Sequence, residues 1–555
     1  MDTATFLDDF ATIADAPGGI DRLRDLILDL AMRGELMPQS GEDAPASGLL
    51  DAIAEEFRKS TRRQKKLPGI ESDEVPFAVP ASWEWARLGM IASYNQRPKV
   101  DPSAIPGDAW LLDLQDIEKD TSRLLTRAKC SDRSPTSTKT RFEVGDVLFG
   151  KLRPYLNKVL VADAVGYSTS ELVPITPGPG ITPEWLRWSL KRPDIRRWIA
   201  GVSYGVKMPR LGTGDALASL HPVPPTAEQR RIVEKVNELM ALCDDLEARQ
   251  EARHQVTARL RASTLDALAT ATTDDELTTA WQRVHDNWET LGSSSEAVDG
   301  LRDVVLDLAV RGRLSTRGPV DTPVSEVLGS IAQAKQSMVA EGVLKKTTPP
   351  ATNGYEPEYV VPDDWLWAPL HSISLIVTDG THQTPTYVDR GVPFVSIKDI
   401  SSGALDFSDT KFISEKESEA INRRCAPQQG DVLFCRIGTL GQAVVVDDDR
   451  PFSIFVSVGL IRPGPRIDPR YLRYALNSPT TYRQYDKIKA GGSHASKLNL
   501  NTMRSALIPV PPPEEQVRIV EAVDELMMLC DALEAALSDR DAAASSLADA
   551  ACDPA

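Results

Sequence analysis

PPTAEQRRIVEKVNELMALCDDLEA, from Pro224 to Ala248, is written again as PPPEEQVRIVEAVDELMMLCDALEA, from Pro511 to Ala535, with 18 identities in 25 positions. A repeat of this length fixes the organisation of the chain. Three shorter echoes lie outward from it. LRDLILDLAMRG, from Leu23, pairs with LRDVVLDLAVRG, from Leu301; VPASWEWARL, from Val79, pairs with VPDDWLWAPL, from Val361; GDVLF recurs at Gly145 and Gly430. The offset drifts from 278 to 287 residues, so two copies of about 280 residues share an order of elements and differ by small insertions. Residues 89–144 and 371–429 barely match, although the same Trp and Gly-Asp motifs bound them. One frame therefore carries two different inserts.

Within the long echo, Ile232, Val236, Leu239, Cys243 and Leu246 follow a 4-3-4-3 spacing, repeated by Ile519, Val523, Leu526, Cys530, Leu533 and Leu537. That spacing predicts a coiled-coil seam on each of two helices, and the prolines and glutamates ahead of each seam suit a helix start. Two similar seams in one chain predict an antiparallel stalk, which some 35 residues of helix would extend over about 50 Å. The alternative reading is two separate core helices.

The inserts read differently. VPFVSIKDI, GDVLFCRIGTLGQAVVVDD and FSIFVSVGLIRP are β-branched and punctuated by glycine, as strands and tight turns are, and GDVLFGKLRPYLNKVLVAD follows the same outline. ITPEWLRWSLKRPDIRRWI and IDPRYLRYALNSPTTYRQY supply helices, so each insert is a mixed α/β (α+β) domain. Pro38 to Ser47 and Thr347 to Pro357 read as linkers, and Leu49 to Lys66 and Val324 to Lys346 as short helices.

A chain of 555 residues with 41% hydrophobic and 26% charged residues is a folded, multidomain protein. It has no secretory leader and no apolar run of membrane-helix length, so a cytoplasmic location is expected. Six scattered cysteines without a CxxC pair offer neither a disulfide framework nor a zinc site.

The net charge of -17 argues by itself against a polyanion partner, yet the charge is unevenly placed. Residues 141–210 carry eleven Lys or Arg against six Asp or Glu, residues 470–504 seven against one, and residues 511–555 two against eleven. Candidate DNA contacts combine these cations with aromatic, amide and hydroxyl groups, because Arg and Lys suit phosphate or guanine and Asn or Gln suits adenine. In the first insert they are Lys151, Arg153, Tyr155, Asn157, Lys158, Tyr204, Lys207 and Arg210. In the second they are Thr381, His382, Gln383, Arg436, Thr439, Gln442, His494, Ser496, Lys497 and Asn499. For any one of them the alternative is a solvated loop residue beside a strand.

Motifs of catalysis are missing: there is no GxxxxGK[ST] loop, strand-borne GxGxxG, HExxH or GxSxG, and no Pro-Pro-aromatic loop of an adenine methyltransferase. Asp146 and Asp431 in GDVLF read as turn residues.

The duplicated PPTAEQRRIV and PPPEEQVRIV, the Trp motifs WEWARL and WLWAPL and the two GDVLF strands together resemble the specificity subunit of Type I restriction-modification systems, over nearly the whole chain. The resemblance implies a helical region at 1–75, a target recognition domain at 76–223, a central helical region at 224–316, a helical linker at 317–356, a second recognition domain at 357–510 and a C-terminal helix at 511–555. It implies two tandem recognition domains, separated and joined by long helices in an internal pseudo-twofold repeat, each reading one half of a bipartite duplex target. TDGTHQTP, from Thr378, and GDVLFGKLRPYLNKV look like two kinds of recognition domain. The implied partners are two modification subunits that bind S-adenosylmethionine and restriction subunits that use ATP and Mg, with no catalysis, cofactor or metal in this chain and no membrane contact. A length of 555 residues is large for the family, and the extra stretches 38–75 and 315–356 are expected to be surface elements that contact partner subunits. Competing readings are a protein-interaction scaffold, a stand-alone DNA-binding protein and a nucleic-acid enzyme.

Overall fold

The computed structural model describes residues 13–59, 67–271, 273–315, 318, 321–345, 357–438, 440–488 and 497–552. It divides into two compact units, Met1–Arg253 with Arg540–Ala555, and His254–Asp539. Each unit holds one insert and one Leu-Arg-Asp helix.

In the first unit, the antiparallel pair Glu84–Arg87 and Leu220–Val223 closes the base of the insert. Inside it one sheet runs Ala92–Tyr94, Leu172–Pro177, Val147–Gly150, Val159–Val161, and a second runs Lys99–Val100, Lys139–Phe142, Gly166–Ser168, Trp110–Leu112. The second unit repeats the plan. Leu366–Pro369 pairs with Leu507–Val510, and the sheets run Ser374–Asp379, Val458–Pro463, Val432–Cys435, Ala443–Val445 and Tyr387–Val388, Lys411–Ile413, Val392–Val395, Ser453–Ile454. The GDVLF strands lie inside their sheets and are buried at every position, so they read as apolar runs without alternation. The glycine before each is left-handed (φ 83 at Gly145, φ 85 at Gly430) and opens the turn expected there. Asp146 and Asp431 then accept the backbone N–H of Glu143 and Gln428 and pair with Arg97 and Arg462.

The two long helices run Thr226–Thr270 and Pro513–Cys552. Their seams are largely buried, each in a core that it shares with a Leu-Arg-Asp helix. Ile232, Val236, Leu239 and Cys243 pack on Leu23, Ile27 and Ala31 of the helix Gly19–Arg33. Ile519 and Val523 pack with Val305, Ala309 and Val310 of the helix Ser295–Val310, and Cys530 and Leu537 with Val298. The Leu-Arg-Asp helices offer the apolar stripe, and charge fixes their register. Arg24 reaches Asp244 (2.6 Å) and Glu247 (2.8 Å), while Arg302 reaches Asp531 (2.7 Å) and Glu534 (2.7 Å).

The identical letters of the long echo prove to be fasteners. Trp83 Nε1 donates to Glu228 (2.9 Å), and Trp365 Nε1 donates to Glu515 (3.0 Å). Gln229 accepts from the N–H of Thr182 and donates to the Pro224 carbonyl; Gln516 accepts from Asp468 and donates to Pro511. Gly34 and Gly312 end the Leu-Arg-Asp helices with φ of 74 and 69. A Cβ there would meet Pro80 at 2.5 Å or Pro362 at 2.7 Å, so these glycines also let the Trp loops approach.

The short helices are Ala46–Lys59 and Val324–Ala340, while 60–66 and 346 lie outside the described residues. Their expected role as surface elements is corrected in part. Ala46 and Ile53 belong to the core of the first insert, and Val324, Val327 and Ile331 to that of the second, because each helix buries one apolar face on its own domain.

Replacing the buried Gln516 by Ala removes the acceptor of the half-buried Asp468 N–H and should cost about 1 kcal/mol in urea unfolding. Burial raises the Glu228 carboxyl above its ordinary value. A raised carboxyl binds its proton more tightly in the folded state, so its contribution falls as pH rises from about 4.3 toward the raised value. Glu228→Gln keeps an acceptor for Trp83, and its stability relative to the parent should therefore improve with pH across that window.

Candidate nucleic-acid interface

In the first insert the chain leaves the strand Val147–Gly150 through Lys151, passes a short helical turn at Pro154–Leu156, and returns along Val159–Val161. Arg153 and Asn157 flank that turn in left-handed conformations (φ 49 and 50). A second segment lies beside it. After the helix Pro193–Val202, Tyr204 and Arg210 exchange backbone hydrogen bonds (3.1 and 2.9 Å) around the tip Gly205–Pro209. Arg153 N–H donates to the Pro209 carbonyl (2.7 Å) and Leu211 N–H to that of Lys151 (3.0 Å), which ties this hairpin to the strand end.

These contacts bring Lys151, Arg153, Tyr155, Tyr204, Lys207 and Arg210 together. Tyr155, Tyr204, Arg153 and Lys207 are exposed, and Lys151 is half-buried. Arg210 instead pairs with Glu171 (3.2 Å). Two expected contacts are corrected. Asn157 is buried, and its carbonyl accepts from Ser122 Oγ and Lys191 Nζ. Lys158 donates to the Leu114 carbonyl (2.8 Å), and burial lowers its pKa. Both stabilise the loop from behind.

The charge surplus of 141–210 is partly structural as well. Lys191 and Arg192 are buried, Lys191 on Ser122 and Asn157 and Arg192 on Asp194 and the Leu220 carbonyl. Arg196 pairs with Asp25 of the Leu-Arg-Asp helix (2.5 Å).

The second insert repeats the geometry. Leu498 N–H donates to the Arg436 carbonyl (2.9 Å), as Leu211 does to Lys151, and Ile437 bridges to Lys497. Lys497 and Asn499 are exposed, whereas Gln442 is half-buried. Thr439, His494 and Ser496 lie outside the described residues.

Arg436 is corrected from a DNA contact to a buried strut. It is 9% exposed and holds Asp379 (2% exposed), the Val456 carbonyl (3.0 Å) and the Leu498 carbonyl (3.1 Å). Asp379 also takes Arg424 (2.5 Å) and His382 Nε2 (3.1 Å), so one carboxylate shapes the TDGTHQTP loop. Gly380 is required there, because a Cβ would stand 2.0 Å from the Ile454 carbonyl oxygen. Thr381 is half-buried and His382 and Gln383 are exposed. Thr381 and Gln383 edge a cavity of 340 Å³ that Arg424 and Glu417 also line.

Sequence reasoning missed Val206 and Met208, which are 102% and 49% exposed at the hairpin tip, and Arg424. The available signal was that YGVKMPR has neither helical nor strand periodicity, so its apolar residues have no core face to join.

Arg436→Ala leaves the buried Asp379 short of a partner and should cost about 3 kcal/mol of stability. Arg153→Ala should leave the melting temperature unchanged, so thermal unfolding of the two variants separates strut from surface.

Comparison with known proteins places this geometry. Residues 375–540 match the family model described as the Type I restriction modification DNA specificity domain. The chain is 28% identical to the Type I restriction enzyme EcoAI specificity subunit of Escherichia coli over 97% of this chain and 94% of that protein. It is likewise 28% identical to the EcoEI specificity subunit of Escherichia coli, with 97% and 94% covered. A solved chain, described under complex assembly and conformational transition of the type I R-M system, shares the fold at a TM-score of 0.52 and 20% identity, covering 86% of this chain and 98% of that one. Over nearly its whole length the chain is similar to specificity subunits of Type I restriction-modification systems.

Proposed function

We propose that this chain is the DNA-reading subunit of a Type I restriction-modification complex, in which each insert recognises one half of a bipartite duplex sequence. One observation carries the reading. At one position of the repeated frame, where Leu211 bonds to Lys151 and Leu498 to Arg436, the two copies carry unrelated sequences, YGVKMPR from Tyr204 and GGSHASK from Gly491. A shared scaffold with divergent exposed loops is how a protein reads two unrelated short sequences, since base edges are distinguished by side-chain type.

Lys151, Arg153 and Lys207 have no ion pair among the described residues, so phosphate neutralisation is their chemistry. His382, Gln383, Lys497 and Asn499 are the corresponding exposed groups of the second insert. The chain is proposed to be non-catalytic and cytoplasmic, directing two modification subunits that carry S-adenosylmethionine and flip and methylate adenine, and restriction subunits that use ATP and Mg. No helix among the described residues is long and apolar enough to cross a membrane.

A genome-wide N6-methyladenine map, made with and without this gene in a cell that has the methylase partner, tests the proposal. A split motif with a fixed gap should vanish on deletion, and exchange of residues 366–510 for those of another specificity subunit should change one half of it. A chimera that alters both halves would overturn the modular reading. Flat salt dependence of DNA affinity in the complex would favour the protein-interaction scaffold.

A further inference from the structure

The tip Gly205–Pro209 exposes apolar side chains where a folded protein ordinarily hides them. Val206 is fully exposed, Met208 is half exposed, and Tyr204 and Tyr155 stand beside them at 61% and 56% exposure. Four large apolar or aromatic groups on one loop pair form a patch, and such patches mark contact sites.

The tip is also held out by construction. Two backbone bonds between Tyr204 and Arg210 close it, the bonds from Arg153 and Leu211 fix its base, and the Arg210–Glu171 pair braces its return strand. It is a narrow element on a fixed base, of a size to enter a groove.

Charge selects the occupant. Lys207 lies between Val206 and Met208 in sequence, and Arg153 and Lys151 lie across the hairpin base; none has an ion pair among the described residues, and the carboxylate at the base, Glu171, is taken by Arg210. Apolar side chains ringed by unpaired cations fit duplex DNA, whose phosphates meet the cations while base edges, thymine methyl groups and base steps offer apolar surface.

We propose that the Tyr204–Arg210 hairpin is a base-contacting probe, in which Val206 and Met208 read the first half-site by apolar contact while Lys207 and Arg153 hold the flanking phosphates. This rests on the DNA-reading function proposed above and assigns specificity to residues that carry no polar group. The second insert carries GGSHASK in the same frame position, so polar readout is expected there instead.

The test uses the full complex with its methyltransferase partner and labelled duplexes carrying the mapped site, with each base pair of either half-site replaced in turn. The double variant Val206→Ala, Met208→Ala should lose about tenfold in affinity for the intact site. Its discrimination should flatten across the first half-site and stay unchanged across the second. The dependence of log affinity on log salt should keep its slope, because no phosphate contact is removed, whereas Lys207→Ala should lower the slope by about one. Val206→Thr keeps the side-chain shape and should reproduce part of the loss, which isolates apolar contact from shape.

Unchanged discrimination in the double variant would overturn the proposal, and so would weakened assembly with the methyltransferase subunit without any change in DNA preference. If the parent complex itself shows no salt-dependent preference for the mapped site, the DNA-reading function falls and this assignment with it.

Discussion

A buried indole-to-carboxylate hydrogen bond, made twice, is the interaction on which the architecture turns. Trp83 to Glu228 and Trp365 to Glu515 each join the entrance of an insert to the first turn of a long helix. Neither partner is expendable. The carboxylate is desolvated and needs the indole N–H, and the indole fills space against Trp185 or Tyr471, whose own donors reach the Pro222 and Pro509 carbonyls. The domain base, the long helix and the Leu-Arg-Asp helix therefore meet at one point in each copy.

From that point outward, the two units follow one plan with different surfaces. The ribbons Glu84–Arg87 with Leu220–Val223 and Leu366–Pro369 with Leu507–Val510 close the base of each insert, and the helices that follow its sheets pack on the helical frame through Trp185 and Trp188 in one copy and Tyr471 and Tyr474 in the other. Loops can change beyond the ribbon without disturbing the fasteners beneath it. The stretches 89–144 and 371–429 lie beyond the ribbon and share little, whereas the Trp motifs and the long echo, which make the fasteners, recur.

Much of the frame was legible in the sequence. The repeat, the helix starts, the GDVLF strands and the Gly-Asp turns follow from local rules, namely apolar periodicity, proline at a first turn and glycine at positive φ. The seams were legible as apolar faces, but their partner was not, since periodicity states that a face is buried and not against what. Glu228 and Gln229 likewise read as ordinary first-turn residues, and only their buried contacts show them to be fasteners.

The candidate interface divides along the same line. Two inserts of different composition in one repeated frame, with positive charge gathered late in each, can be read directly from the order of residues. Which polar groups are available depends on the folded chain. Arg436 is held by Asp379, 57 positions away, and Arg196 by Asp25, 171 positions away, while Arg153 and Lys207 stay exposed and unpaired among the described residues. The physical reason is that a cation's freedom depends on which carboxylate or carbonyl the fold brings within hydrogen-bond reach, and residue types along a chain do not encode that distance. The same reason put Val206 and Met208 at an exposed tip, although their side chains alone would have assigned them to the core.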